Sequence, residues 1–307
     1  MPTSTSIAPS RAPDPQLPRE PRPAAPAGGD PPAAPVVVGV DGGECALAAV
    51  RWASEEAVRR GTTLRIVHAA PYLGRRTEPG TVPPELRRAR RITAAAYTQA
   101  RHTAPTVAAA THLVPGEPAR VLLDSAADAQ LVVLGIATTG AFDELVVAPV
   151  AQRVAARSRT PVVVVPRPRG PVPEGRPVAA LLGLGDPDDD EPVVRWAADR
   201  ARREGVPLLV LQPRPRGSGA EPVDWAARHP DLGIAVQDVP GADPRELLRA
   251  VCPAPVVVLG AGHGSLLHRL LDGPHRYLLR HCTSPLAMIP PVHRPEDEPR
   301  EEIVAIG

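Results

Sequence analysis

Short apolar runs alternate with longer stretches of mixed polarity along most of the chain, and the whole alternation occurs twice. The first set of apolar runs, bounded by glycine or proline, covers 36–40, 64–68, 107–113, 131–134 and 162–165. The second set covers 178–182, 208–211, 234–239, 256–259 and 286–289. Nearly continuous apolar runs of this length are typical of strands that are covered on both faces of a parallel sheet.

Helical spacing marks the stretches between these strands. In the segment 46–60, Trp52 and Glu56 fall on one face, and Gly61 follows at a position where glycine commonly ends a helix. Two further helices are predicted over about 84–102 and about 117–127. The alternation of strand and helix, with right-handed crossovers, predicts a doubly wound α/β fold of the flavodoxin or Rossmann type.

The two sets of elements form a tandem repeat. Residues 38–61 match 182–205 without a gap, and residues 114–135 match 239–260 in the same way. Two such blocks in the same order, separated by one deletion, indicate a duplicated domain. The residues missing from the second copy lie between its second and third strands, so the helix there is predicted to be shorter.

Proline-rich segments divide the chain. Residues 1–34 and 291–307 are predicted to be disordered tails, because they hold too few bulky apolar side chains to offset the entropy of ordering. A proline-rich linker is predicted over 167–177. The first domain is then 35–166 and the second, shortened domain is 178–290, each with a five-stranded, mostly parallel sheet.

Composition narrows the range of functions. The net charge is +1 and aromatic residues make up 2% of the 307 residues, which argues against a nucleic-acid or membrane-surface binder. No lysine occurs in the chain, which excludes P-loop ATPases and pyridoxal-phosphate enzymes because both classes need a lysine amine. The three cysteines are far apart in the sequence and form no C-x-x-C pair, so neither a disulfide framework nor a zinc site is predicted. No apolar run reaches the length of a membrane span, and we expect a cytoplasmic protein.

Three segments of the first domain are expected to meet beyond the carboxyl ends of its strands, where open parallel sheets bind ligands. They are residues 41–43, residues 68–70 and the loop after Gly135. The surrounding sequence includes GVDGGECALAAVRWASEEAVRRG, and LVVLG followed by a loop, a helix and TPVVVV. Both stretches resemble a universal stress protein domain. The resemblance covers most of 36–166 and, more weakly, 178–290.

The resemblance implies an α/β fold like that of the adenine nucleotide α-hydrolases and a site for ATP. In ATP-binding members the early aspartate contacts the nucleoside, and a G-x-x-G-x9-G-[ST] loop wraps the phosphates at a helix N-terminus. The candidate nucleotide-binding residues that it implies are Val40, Asp41, Val67, His68, Gly135, Val150, Gly260 and Gly273. No metal site is predicted, because the spacing of His263, His268 and His275 does not place them on one helix face.

The phosphate loop departs from the family pattern in both domains. The four loop positions hold Gly135, Thr138, Ala148 and Pro149 in the first domain and Gly260, His263, Gly273 and Pro274 in the second. A proline at the helix start removes a backbone N–H and the family's hydroxyl together. Each donor to a charged ligand is worth about 1.5–3 kcal/mol, so both losses weaken binding roughly a hundredfold or more. In the second domain Gly185 also replaces the aspartate, beside the acidic run 186–191.

Several residues allow two interpretations. Asp41 is either a nucleoside ligand or a strand-end residue that binds nearby backbone N–H groups, and His68 is either a ligand or, the favoured interpretation, a packed histidine. Trp52 and Trp196 are predicted to be core residues. Cys45, near the candidate pocket, is predicted to be unreactive. Four arginines are predicted to be solvated at helix ends: Arg59, Arg60, Arg202 and Arg203.

The predicted function is a non-catalytic stress-response regulator with degenerate nucleotide-binding loops. The alternative is an ATP or adenine-nucleotide sensor that uses the first domain. A nucleotide hydrolase is less favoured, because the S-G-G-x-D-S and H-x-G-H motifs are missing. The resemblance also implies that the domains pair as a pseudo-dimer through their final strands, at 160–166 and 284–290. A second copy of the chain and an unidentified regulatory protein are the other expected partners.

Overall fold

The computed structural model describes residues 33–72, 83–136, 149–167, 172–183, 190–214, 223–240, 243–261 and 274–291. The first half contains β1 (Val36–Gly39), α1 (Glu44–Arg59), β2 (Leu64–Ala69), α2 (Pro84–Thr103), β3 (Ala109–Val114), α3 (Pro118–Ala126), β4 (Leu131–Ile136), α4 (Pro149–Arg157) and β5 (Val162–Pro166). The second half contains β6 (Val178–Leu181), α5 (Asp190–Glu204), β7 (Leu208–Arg214), α6 (Trp225–Arg228), β8 (Ile234–Pro240), α7 (Pro244–Val251), β9 (Val257–Gly260), α8 (Pro274–His281) and β10 (Leu286–Ile289).

One ten-stranded sheet runs through both halves, in the order β3-β2-β1-β4-β5-β10-β9-β6-β7-β8. Neighbouring strands within each half are parallel. The halves meet where β5 and β10 pair antiparallel, with Val163 opposite Ala287. The doubly wound α/β fold is therefore confirmed. The final strands make the joint that the resemblance implied, and they merge the two expected sheets into one.

Valine-rich strands form the centre of this sheet because both of its faces are covered by helices. All five residues of β5 and all four residues of β10 are buried. On one face, α1, α2 and α5 pack through their small apolar side chains. On the other face, α3, α4, α7 and α8 form a second core. Each of the two cores contains residues from both halves of the chain, so the halves share their hydrophobic burial.

The described helices between the second and third strands differ in length between the two halves. The 20-residue helix α2 connects β2 to β3 in the first half, whereas the described helix between β7 and β8 is the four-residue α6. Trp225 at the start of α6 is 2% exposed and belongs to the core on that face of the sheet. One large side chain thus covers part of the sheet that a longer helix covers in the first half. The domain limits themselves stay a prediction.

Helices α1 and α5 meet across the joint between the halves. Glu56 is fully buried on α1, and its Oε2 lies 3.2 Å from Nε of Arg200, which is 1% exposed on α5. Each also pairs with a residue four positions further along the chain: Arg60 Nε lies 2.6 Å from Glu56 Oε1, and an Arg200 guanidinium nitrogen lies 2.8 Å from Glu204 Oε1. The prediction that Arg60 is solvated is therefore wrong.

The same contact explains the two tryptophans of the repeat. The Arg200 guanidinium carbon lies 5.8 Å from the ring centroid of Trp52, and that of Arg60 lies 5.6 Å from the ring of Trp196. Trp52 is buried as predicted, whereas Trp196 is partly buried against the same core. Each arginine therefore stacks on the tryptophan of the other half, which is a favourable cation–π arrangement.

Candidate functional site

The carboxyl ends of β2, β1 and β4 lie side by side in the first half. Gly39 is opposite Val67 on one side and Leu134 on the other. The order of the strands reverses between β1 and β4, so this edge is the switch point at which ligands bind in such sheets. The fold therefore brings together four candidate positions that follow these residues by one or two places: Val40, Asp41, His68 and Gly135.

His68 is a packed side chain at this edge. It is 9% exposed, and its ring Nδ1 lies 2.7 Å from the carbonyl oxygen of Val40. Because a carbonyl oxygen can only accept, Nδ1 carries the proton in this contact. The Val40 N–H in turn donates to the Val67 carbonyl oxygen at 2.9 Å. His68 thus links the ends of β1 and β2, which favours the structural interpretation of this residue.

Asp41 is exposed and begins the turn into α1. Its Oδ1 accepts a hydrogen bond from the Gly43 N–H at 2.8 Å, and Gly43 is the residue that directly precedes the helix. This bond is the local backbone role that the sequence left open as an alternative. A carboxylate oxygen keeps further lone pairs, so the bond is compatible with a ligand contact as well.

Gly135 is required by the packing of β4 against α1. A Cβ atom built on Gly135 would lie 2.2 Å from the carbonyl oxygen of Cys45 and 2.7 Å from the backbone nitrogen of Ala46. Both atoms belong to the first turn of α1, and neither can move without moving the helix. The close approach of two backbones accounts for this glycine without any ligand.

The two prolines of the phosphate loops each begin a helix. Pro149 is the first residue of α4, and Pro274 is the first residue of α8. Val150 follows Pro149 and is half-buried, and Gly260 ends β9. The other loop positions lie outside the described residues: Thr138, Ala148, His263 and Gly273, together with Gly185 and the acidic residues 186–189.

A cleft that the sequence did not predict lies between α1 and α2. It encloses about 220 Å³ and begins at Val40, Gly42 and Ala46. The α2 side contributes Ile92 and two exposed arginines, Arg88 and Arg91. The helical spacing of these α2 residues was visible in the sequence, but the pattern did not show that this stripe faces the end of β1.

Comparison with known proteins identifies the family. The family model described as the universal stress protein family matches residues 33–166. Universal stress protein Rv2623 of Mycobacterium tuberculosis is 35% identical over 256 residues, which cover 74% of this chain and 86% of that protein. The chain belongs to the universal stress protein family. Universal stress protein Rv2624c of the same organism is 25% identical over 262 residues, covering 83% of this chain and 95% of that protein.

Solved structures agree with the family's fold. A universal stress protein from Archaeoglobus fulgidus DSM 4304 superposes with a TM-score of 0.66 at 12% identity, covering 85% of this chain and 97% of that chain. A protein of unknown function from Pseudomonas aeruginosa PAO1 superposes with a TM-score of 0.54 at 14% identity, covering 84% and 93%. Both matches extend over most of this chain, so the tandem α/β architecture occurs in these proteins as well.

Electrostatics at the family's candidate site disfavour a reactive thiol. Cys45 lies in the first turn of α1, and burial raises the pKa of its thiol. Arg167 opposes that shift, while the carboxylates of Asp41 and Glu44 add to it. A thiol with a raised pKa is a poor nucleophile near neutral pH, in agreement with the prediction for this residue.

Within the described ranges of the chain, no three His, Cys, Asp or Glu side chains are grouped as metal ligands would be. In the same ranges, no helix combines the length and the apolar character needed to cross a membrane.

Proposed function

We propose that this universal stress protein is a non-catalytic regulator of the stress response whose loops do not hold a triphosphate. The observation that carries the proposal is the proline at the start of both α4 and α8. A helix N-terminus binds phosphate through free backbone N–H groups. Proline has no N–H, and it also takes the place of the family's serine or threonine hydroxyl. Both domains therefore lack the same two donors.

The packing around the first domain's site supports this proposal. Gly135, the loop glycine that this domain keeps, is explained by the close approach of α1. Asp41 and His68 each hydrogen-bond to backbone atoms, which suits a structural role better than acid–base catalysis.

Isothermal titration of the full-length protein with Mg-ATP tests the proposal. We expect no heat of binding at micromolar nucleotide for the wild type. Pro149→Ser, which supplies both an N–H and a hydroxyl, should strengthen binding roughly a hundredfold, by about 3 kcal/mol. Pro149→Ala is the matched control, since it supplies the N–H alone and should recover about half of that free energy. Micromolar affinity in the wild type, unchanged by Pro149→Ser, would contradict the proposal.

Catalysis is tested separately from binding. Release of inorganic phosphate from ATP by the purified full-length protein should stay at the background rate over hours. Steady release well above background, and in proportion to protein concentration, would overturn the non-catalytic assignment even if the binding result stands.

An adenine-nucleotide sensor is the second candidate, and one observation favours it. Arg88 and Arg91 place two guanidinium groups beside the cleft that starts at Val40 and Gly42. A monophosphate is small enough to use these cations without the loop. Titration with AMP therefore distinguishes the candidates. A sensor should bind AMP, and either Asp41→Ala or the double variant Arg88→Ala with Arg91→Ala should abolish that binding.

We also propose that the protein acts by binding a partner. An unidentified regulatory protein, or a second copy of the chain, would bind the outer surface of the joined halves. The outermost strands of the sheet are β3 and β8, since β5 and β10 are already paired within the chain.

A further inference from the structure

Two cysteines that are distant in the sequence lie side by side in the second half. Cys252 directly follows α7 and Cys282 directly follows α8. These helices lead into β9 and β10, which are parallel neighbours with Val257 opposite Leu286. The starts of both strands therefore lie together, and the two sulfur atoms are 3.1 Å apart although 30 positions separate the residues.

The surroundings give the two thiols different properties. Cys282 is 1% exposed, whereas Cys252 is half-buried and so accessible to small molecules. Ser284, also 1% exposed, accepts a hydrogen bond from the Ala254 N–H at 3.0 Å, and its hydroxyl donates to the Cys252 sulfur at 3.7 Å. The pair is thus held between the two strand starts, with Cys282 and Ser284 buried and Cys252 partly exposed.

The hydrogen bonds also shift the pKa values of the two thiols in opposite directions. Either sulfur could donate in the contact between the cysteines. Because the Ser284 hydroxyl already donates to the Cys252 sulfur and Cys282 is the more buried of the two, we take the Cys282 thiol as the donor. This bond lowers the pKa of Cys252, with the Ser284 hydroxyl acting in the same direction. The same bond raises the pKa of Cys282, and burial raises it further. Cys252 is therefore the thiol that ionises first, and a thiolate is the nucleophilic form of cysteine.

We propose that Cys252 and Cys282 form a reversible disulfide when the protein meets hydrogen peroxide. The Cys252 thiolate attacks the peroxide, so an S–O bond forms, the O–O bond breaks and the leaving oxygen departs as water after protonation. The Cys282 thiol then attacks the Cys252 sulfenic acid: the S–S bond forms, the S–O bond breaks, and the hydroxyl leaves as water with the Cys282 proton. Two thiols lose two electrons in total, and one hydrogen peroxide becomes two waters.

The geometry requires little movement for this reaction. A disulfide has an S–S length of about 2.05 Å, so the sulfurs must approach by roughly 1 Å from their present separation of 3.1 Å. The new bond would tie the end of α7 to the end of α8, the helix that begins at Pro274. Oxidation would thereby restrain the helix that follows the second domain's phosphate loop.

Thiol counting in the full-length protein tests the proposal. After stepwise hydrogen peroxide, the intact mass is measured first, and the remaining thiols are then alkylated for thiol counting and a non-reducing peptide map. We expect the loss of two of the three thiols, a mass decrease of about 2 Da for the two hydrogens removed, and a cross-link between the Cys252 and Cys282 peptides. Dithiothreitol should restore both thiols, and Cys45 should remain free to react with the alkylating agent.

Three serine variants separate the steps. Cys282→Ser should stop at a Cys252 sulfenic acid that dimedone traps, and Cys252→Ser should give no dimedone adduct at the same peroxide concentration. Cys45→Ser is the matched control and should form the cross-link as the wild type does. The proposal is overturned if Cys45 oxidises as fast as Cys252, or if the cross-link joins two chains. If a variant fails to fold, the peptide map of the wild type still shows whether Cys252 is cross-linked to Cys282.

Discussion

Gly135 shows how one residue serves a purpose that its motif does not reveal. In the family pattern it is the first glycine of a phosphate loop, which makes it a candidate nucleotide-binding residue. In the structure its missing side chain is what lets β4 touch the first turn of α1. The packing requirement is present whether or not a nucleotide ever binds.

Gly135→Ala should therefore destabilise the protein without any ligand present. The added methyl would meet the Cys45 carbonyl oxygen at 2.2 Å, and we expect a loss of about 1–3 kcal/mol in the free energy of unfolding. Urea unfolding followed by circular dichroism measures this loss. Gly233→Ala is the matched control, since a Cβ there meets nothing within 4 Å. An equal, small effect at both positions would show that the close approach is relaxed in solution.

The cysteine pair adds a second prediction at the residue scale. A disulfide between Cys252 and Cys282 would close a loop with a sequence separation of 30 positions, and loop-closure entropy predicts a stabilisation of about 2–4 kcal/mol. Peroxide-treated protein should therefore unfold at a higher urea concentration than the same sample after dithiothreitol. No shift in the midpoint, with the cross-link present, would mean that strain in the folded state cancels the gain.

Helices α1 and α5 occupy equivalent places in the two copies but carry opposite charges at two equivalent positions. The aligned repeat makes Trp52, Glu56 and Arg60 of α1 equivalent to Trp196, Arg200 and Glu204 of α5. The tryptophan is the same in both copies, but the charges are exchanged. Two copies of α1 meeting in the same way would place Glu56 against Glu56. The exchange therefore favours pairing of α1 with α5 over pairing of α1 with another α1, because buried like charges repel strongly.

Reversing one charge at this contact should be costly. Arg200→Glu sets two carboxylates together at a site where Glu56 is fully buried, and we expect a loss of about 3–5 kcal/mol in unfolding free energy. Adding Glu56→Arg restores opposite charges and should recover part of that loss. Chemical denaturation of the two single variants and the double variant gives the coupling energy. Additive effects of the two changes would rule out the pairing as the cause.

The same contact predicts a dependence on pH. Burial tends to raise the pKa of Glu56, but the guanidinium groups of Arg200, Arg60 and Arg59 outweigh it, so the pKa is lowered from its ordinary value of 4.5. A lowered pKa stabilises the fold above the unfolded-state value and loses that contribution as the pH falls through the folded-state value. Stability of the wild type should therefore drop below about pH 4.5, and Glu56→Gln should flatten that part of the urea-midpoint profile.

At the scale of the whole molecule, the halves are joined by the sheet as well as by the helices. The antiparallel pairing of β5 with β10 makes the backbone hydrogen bonding continuous from β3 to β8. Both hydrophobic cores also contain residues of both halves. Separating the halves would expose two central strands and a buried ion pair, which is unfavourable for strands that hold only apolar side chains.

This continuity predicts cooperative unfolding of the whole chain. Differential scanning calorimetry of the wild type should show one transition, with the calorimetric and van't Hoff enthalpies nearly equal. Arg200→Glu, which weakens the joint, should broaden the transition or divide it in two. Two separate transitions in the wild type would show that each half is stable without the other.

The sequence predicted most elements to within a few residues. For β10 the prediction of 286–289 agrees with the observed Leu286–Ile289, whereas β3 was predicted over 107–113 and lies at Ala109–Val114. The apolar run sets the middle of a strand, but hydrogen bonding to neighbours sets its ends. The solvated role predicted for Arg60 failed because the pattern of one helix does not contain the helix that packs against it.

Local pattern by itself determined the repeated strand–helix alternation, the shortened second copy, the family and the prolines at two helix starts. These properties depend only on residues that are close together in the sequence, since periodicity, turn residues and the missing N–H of proline act over a few positions. Tertiary structure alone decided the charge-exchanged contact of α1 and α5, the cleft beside Arg88 and Arg91, and the 3.1 Å approach of Cys252 to Cys282. Each of these joins residues far apart in the chain, and the distance between such residues is set by how helices and strands pack.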